Sequence, residues 1–400
     1  MSFRDIDILP DETSRAIIKE LEKFTATVMR PAAMELDKSH APAEVFAETS
    51  PLWNVFSSFR GLDLHLTGIP EALGGIGHMD AVTSVMMAER LGYADAGLAI
   101  GLTAAGTPFC LAAQLQTPAM EALARNFCQD REGRMIGCRS LGRRRKTPAG
   151  GNGTGTAGPS PFLSAREDGS DVILSGKLSG IVNAPIATHG AFEVILSPER
   201  TGLAVIPLDQ PGITRQTPAV VVSQKSAPRG SLRFEAVRVP GECVITEDNT
   251  SLAGIRETFT AGLNLFLSGI YAGTARAALD EALRYAKNRV QGGVPIFEHG
   301  NIRLQLFTMF KMVEAARAAA LRLAGYQDRQ GTAGTWPHTV AARCLAVEAA
   351  CQVTSDAIQV FGGYGLAREF PLEKFFRDAR LGLVENGVNE DLAIEAMLEG

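Results

Sequence analysis

Apolar positions from Asp11 to Phe127 recur at steps of three and four, the spacing that puts them on one face of a helix. Interruptions at Pro31, Pro51, the Gly68–Gly77 segment and Thr107-Pro108 predict helix boundaries within a helical domain over residues 1–134. From about Met135 the texture changes to short apolar runs punctuated by Gly and Pro: Asp171–Ser175, Phe192–Leu196, Leu203–Pro207, Ala219–Val222 and Leu232–Ala236. These predict strands of an antiparallel barrel or sandwich over residues 135–248. Helical spacing returns from about Leu252, and Ile302, Leu306, Met309, Val313, Ala316 and Ala320 form a seam suited to bundle packing within 249–400.

Composition narrows the function classes. With 400 residues, 46% of them hydrophobic and 21% charged, the chain can bury a large core. A net charge of −5 provides no global basic field, so nucleic-acid binding is not expected. The six cysteines form no CxxC pair and are expected as reduced, mostly buried thiols; Cys344 and Cys351 would lie about 10 Å apart on one helix, too far for a disulfide. The first residues are charged, with no apolar leader, and no run of about 18 apolar residues stands out, so a cytoplasmic location with no membrane contact is expected.

Several tempting patterns carry little. The basic run Arg143–Lys146 leads into a Gly/Thr/Pro-rich stretch ending at Pro161, the composition of a solvated loop. Its glycines lack both GxxxxGK spacing and a strand-helix setting, so it predicts no phosphate cradle. The six histidines show no HxxxH or HExxH pairing, so no metal is expected, and there is no GxSxG elbow.

Three blocks stand out: Gly68–Gly77 (GIPEALGGIG) with Glu89–Gly97 (ERLGYADAG), Ala278–Arg289 (ALDEALRYAKNR) with Gly293–Ile296 (GVPI), and Asp356–Gly365 (DAIQVFGGYG) with Glu369–Ala379 (EFPLEKFFRDA). In this order they resemble the acyl-CoA dehydrogenase family. The resemblance implies a mostly α, α+β fold: an N-terminal helical domain, a middle antiparallel β-barrel and a C-terminal four-helix bundle. It also implies FAD and an acyl thioester of CoA or a carrier protein as ligands, in a dimer or tetramer. An Arg at a helix end and a Gln before a Gly-Gly turn suit a pyrophosphate and ribityl grip. The equivalents of Arg289, Gln359, Gly362 and Gly363 hold the FAD bound mainly by a neighbouring subunit. The aromatic expected before Gly293 is Gly292.

The subunit's own flavin contacts depart from the family. The TEPGAGSD segment is replaced by Arg139–Gly142 and the basic loop, the WITN segment reads Gly180–Asn183, and YEGTS reads Glu385–Asn389. A Trp and a Thr thus become Gly180 and Val182, and Val388 replaces a cofactor-contacting Thr. The glutamate that removes the substrate α-proton falls on Asn386, whose neutral amide cannot accept a proton. Glu385 would point about 100° away if the segment were helical. Glu385 and Glu390, the latter one turn after Asn386, are low-priority substitutes for the base. The family's alternative base positions read Leu263 and Asn264.

Interface-facing residues are kept while the chain's own flavin and base positions are lost. This predicts a non-catalytic subunit of a heteromeric FAD-dependent acyl-CoA dehydrogenase, completing the flavin site of a catalytic partner. The alternatives are a flavin-independent homo-oligomer catalysing elimination, hydration or cyclisation on an acyl thioester, and a binding or scaffold protein.

Overall fold

A computed structural model describes residues 11–115, 117–141, 162–216, 220–246 and 251–398. The basic loop expected over 143–161 lies outside the described residues.

The helical domain runs through α1 (Glu12–Phe24), α2 (Arg30–Leu36), α3 (Pro51–Gly61), α4 (Ala81–Ala94), α5 (Ala96–Leu115) and α6 (Pro118–Gln129). Local chemistry starts these helices: Asp11, Asp80 and Thr117 each accept a hydrogen bond from a backbone N–H three residues on. Two of the expected interruptions resolve differently. Near Pro31 the chain passes from α1 to α2 through a π-helical turn, Thr25–Met29, leaving the proline in the first turn of α2. Pro108 sits inside an unbroken α5, packed so closely on Gly137 that a Cβ there would lie 2.4 Å from its Cδ. Helix α5 is also long and apolar enough to cross a membrane, but 83% of its most apolar window is buried inside the protein, as in a core helix.

The middle domain holds β1 (Gly137–Ser140), β2 (Leu163–Asp168), β3 (Asp171–Val182), β4 (His189–Ser197), β5 (Arg200–Pro207), β6 (Ile213–Gln216), β7 (Arg229–Pro240) and β8 (Val244–Thr246). They make one sheet in the order β6-β7-β3-β2-β4-β5-β8, with β1 pairing β4. The sheet is mixed rather than wholly antiparallel, because β1 and β2 both run parallel to β4. The expected strand over Ala219–Val222 is absent at Val220–Val222, where Val220 and Val222 are 72% and 70% exposed.

Three long helices, α7 (Ser251–Asn288), α8 (Gly300–Gln330) and α9 (Trp336–Phe361), form the bundle with the shorter α10 (Leu372–Leu381), followed by α11 (Asn389–Met397). A small hairpin of β9 (Val290–Gln291) and β10 (Val294–Pro295) joins α7 to α8. On α8, Leu306, Met309, Val313, Ala316 and Ala320 are buried, as the seam predicts. Buried charges tie the first domain to the bundle. Lys374 on α10 pairs with Asp95 at the start of α5 and with Asp378 one turn on. Glu89 on α4 pairs with Arg276 at 2.8 Å and Arg317 at 3.0 Å. The family-like blocks therefore meet in space, and their charged residues clamp the domains together. All six cysteines are free, and burial pushes the Cys110 and Cys138 thiols up to about 12.

Candidate functional site

Two large hollows contain the positions singled out in the sequence. The first, a cleft of about 810 Å³, lies between the sheet, α7, α9 and the α10–α11 connection. Its walls include Gly180, Val182, Asn264, Glu385, Asn386 and Val388.

The α10–α11 connection is a turn. Asn386 adopts φ 52° and Gly387 φ 114°, and Asn389 N–H closes the loop on the Leu383 carbonyl at 2.9 Å. The helical geometry that would point Glu385 away does not apply, and both Glu385 and Asn386 line the cleft. Arg343 on α9, fully buried, holds the turn. Its guanidinium donates to the carbonyls of Glu385, Asn386 (3.5 Å) and Gly387 (2.9 Å), and to Asn264 Oδ1 at 3.1 Å. Burial lowers the Arg343 pKa, while Tyr271 and Glu385 oppose that shift. Asn264, weighed in the sequence as an alternative base position, is 1% exposed and braces Arg343.

The Glu385 carboxylate, 5% exposed, accepts from Arg229 Nη2 at 2.5 Å. Arg229 also donates to Gln224 Oε1 at 2.7 Å, and Gln224 donates through Nε2 to Tyr271 Oη at 3.1 Å. The one buried carboxylate in the cleft is therefore built into an internal network. Asn386 contributes a half-buried neutral amide. Glu390 is exposed in the first turn of α11 and does not line the cleft.

A flavin fits this cleft poorly at the three substituted positions. Gly180, at φ 72°, leaves space where a side chain would stand, and Val182 and Val388 offer no hydroxyl. Arg139 on β1 also lines the cleft, with Nη1 donating to Thr107 Oγ1 at 2.9 Å. Sequence reasoning missed Arg139, Arg229 and Arg343 as site residues. The available signal was a charge inside an apolar stripe, as at Cys138-Arg139 and along α9.

The second hollow, about 890 Å³, opens where the end of α7, the hairpin and the end of α9 meet. It brings together all four residues expected to grip a cofactor, Arg289, Gln359, Gly362 and Gly363. Arg289 is exposed, its guanidinium 5.9 Å from the Tyr364 ring, with no hydrogen-bond or ion-pair partner for its side chain among the described residues. Gly362 adopts φ 61°, and a Cβ at either glycine would meet nothing within 4 Å. Their backbone is open to an approaching ligand. At Gly292, where an aromatic was expected, the His299 ring lies 3.6 Å from a notional Cβ. This hollow fits a dinucleotide phosphate: a free forked cation faces a bare glycine turn.

Helical domain, sheet and bundle, with one hollow inside and another at the bundle end, define the class. The model of the acyl-CoA dehydrogenase N-terminal domain matches residues 11–129, and that of the C-terminal domain matches 264–394. The chain belongs to the acyl-CoA dehydrogenase family, which is FAD-dependent and acts on acyl-CoA thioesters, typically as oligomers. It is 27% identical to the mitochondrial short-chain specific acyl-CoA dehydrogenase of Rattus norvegicus, across 95% of this chain and 88% of that one. It is 29% identical to the probable acyl-CoA dehydrogenase FadE25 of Mycobacterium tuberculosis, across 95% and 92%. In fold it is similar to butyryl-CoA dehydrogenase from Megasphaera elsdenii, with TM-score 0.81 and 22% identity over 98% of this chain and 99% of that one. It is also similar to the prolyl acyl carrier protein oxidase AnaB, with TM-score 0.80 and 21% identity over 98% and 99%.

Proposed function

We propose that this chain is the non-catalytic subunit of a heteromeric FAD-dependent acyl-CoA dehydrogenase, assembled in the cytoplasm. Its bundle-end hollow completes the flavin site of a catalytic partner. The observation that carries this reading is the unengaged Arg289 guanidinium, set among Gln359, Gly362 and Gly363 in a hollow open to the surface. Exposed apolar side chains surround that region and support a subunit contact. Tyr364 and Leu366 on the glycine turn are 53% and 69% exposed, and Leu304 and Phe307 on α8 are 67% and 58% exposed.

In this assembly Arg289 pairs with the pyrophosphate, and the Gly362-Gly363 backbone lets cofactor oxygens approach closely. FAD, when bound, accepts the hydride leaving the acyl β-carbon. The α-proton goes to a glutamate on the partner, because this chain presents Asn386 there and commits Glu385 to Arg229. The same commitment weighs against a redox-neutral reaction on this chain alone, since proton transfer needs a carboxylate free to turn over.

Co-purification with a candidate subunit that carries the glutamate is expected to yield a yellow complex with dehydrogenase activity. The isolated chain is expected to stay colourless after incubation with FAD. A colourless, inactive complex overturns the proposal, as does an isolated chain that binds FAD and oxidises acyl-CoA.

A further inference from the structure

Three arginines, Arg139, Arg229 and Arg343, line the inner cleft together with the carboxylates of Glu385, Asp391 and Glu395. Arg343 directs its donors to three carbonyls and Asn264, and Arg229 directs its own to Glu385 and Gln224. Arg139 differs. It is 8% exposed, it lines the cleft, and its one side-chain hydrogen bond runs from Nη1 to the Thr107 hydroxyl. Among the described residues no carboxylate comes within 4.0 Å of it, and its other N–H groups have no acceptor. Asp391 and Glu395 also line the cleft, half-buried on α11, and neither pairs with Arg139.

Burial disfavours the Arg139 guanidinium, the Glu385 carboxylate opposes that shift through space without a direct contact, and an anion entering the cleft adds a direct one. The walls around it are largely apolar, including Leu141, Ile181, Val182, Ile195 and Trp336. The volume of about 810 Å³ suits a small organic molecule. Phe259, whose ring centroid is 5.9 Å from the guanidinium carbon, and Thr107 also line a smaller cavity of about 220 Å³. Arg139 therefore stands between two apolar spaces, with a planar fork of donors facing the larger one.

We propose that this cleft binds an organic carboxylate with an apolar body, whose carboxylate pairs with Arg139. One carboxylate matches the fork of one guanidinium, and the apolar walls take the remainder of the molecule. A phosphate, with more acceptors and more charge, finds no second cation without an ion pair or hydrogen-bond partner among the described residues of the cleft. This ligand site is independent of the partner reading, because it concerns the inner cleft and not the bundle-end hollow.

The full chain is titrated with hexanoate, hexanamide and inorganic phosphate, followed by calorimetry and by tryptophan fluorescence, since Trp336 lines the cleft. Hexanoate is expected to bind saturably, at least tenfold more tightly than hexanamide, with no binding of phosphate. Arg139→Gln is expected to weaken hexanoate at least tenfold without affecting hexanamide. Arg139→Lys is expected to retain part of the preference, and either variant's melting temperature reports its folding. Equal binding of hexanoate and hexanamide overturns the proposal, as does preferential binding of phosphate or unchanged hexanoate binding in a folded Arg139→Gln protein. The colour of a partner complex plays no part in these outcomes, so each proposal can fail alone.

Discussion

The two hollows are built in opposite ways. At the bundle end Arg289 is exposed and unengaged, and the glycine turn has open space on its approach side. In the inner cleft Glu385 is bound by Arg229, Asn264 braces Arg343, and Arg343 grips the carbonyls of the turn that carries Asn386. The inner positions join one internal network, because buried polar groups need partners. The network is not complete: Arg229 Nε and Arg343 Nε are buried without a partner, and Arg139 has no direct carboxylate among the described residues.

Four substitutions test that contrast. Glu385→Ala should have the largest effect, because it strands Arg229 in a buried site; the expected destabilisation is ~3–5 kcal/mol, read by urea unfolding. A loss below 1 kcal/mol would mean that the pair is not structural. Next, Arg289→Ala should reduce flavin retention in the partner complex about tenfold or more, the worth of a charge-assisted contact. Its own unfolding should shift by less than ~0.5 kcal/mol, since the residue is exposed. Equal flavin content in the variant complex would place the cofactor grip elsewhere.

Asn386→Glu places a carboxylate where the proposed function puts the missing base, yet should give the isolated chain no dehydrogenase turnover, because Gly180, Val182 and Val388 still offer a flavin neither an aromatic ring nor a hydroxyl. It should cost ~1 kcal/mol, since Glu tolerates φ 52° less well than Asn. Turnover in that variant would show that the cleft needs only the acid. Asn386→Gly should have the smallest effect, a stabilisation between zero and ~1 kcal/mol from relief of the same backbone conformation. A clear destabilisation would reveal a role for the Asn386 amide beyond filling the turn.

Much of this architecture was legible in the chain. The α8 seam, the β texture from Met135 and the gathering of Arg289, Gln359, Gly362 and Gly363 all follow from local spacing or block resemblance. The misreadings share a cause. Pro108 reads as a helix end locally, but α5 continues through it against Gly137. Val220–Val222 reads as a strand by composition, but it lies exposed outside the sheet. Parallel pairing of β1 and β2 with β4 depends on strands far apart in sequence and leaves no local mark. Asp95, Lys374 and Asp378 were visible as parts of family-like blocks, but their buried ion triad appears only when α5 and α10 meet.

By itself the sequence determined the order of domains, the family and the presence of an amide at Asn386, because residue type and periodicity act locally. Only the tertiary structure decided what became of Glu385. Its carboxylate lines the same cleft as Asn386, and Arg229, 156 residues away in the chain, holds it there. Tertiary structure likewise left Arg139 buried with no direct ion pair among the described residues and with Glu385 acting on it only through space, since charge pairing over such separations is settled by packing and not by neighbours in the chain.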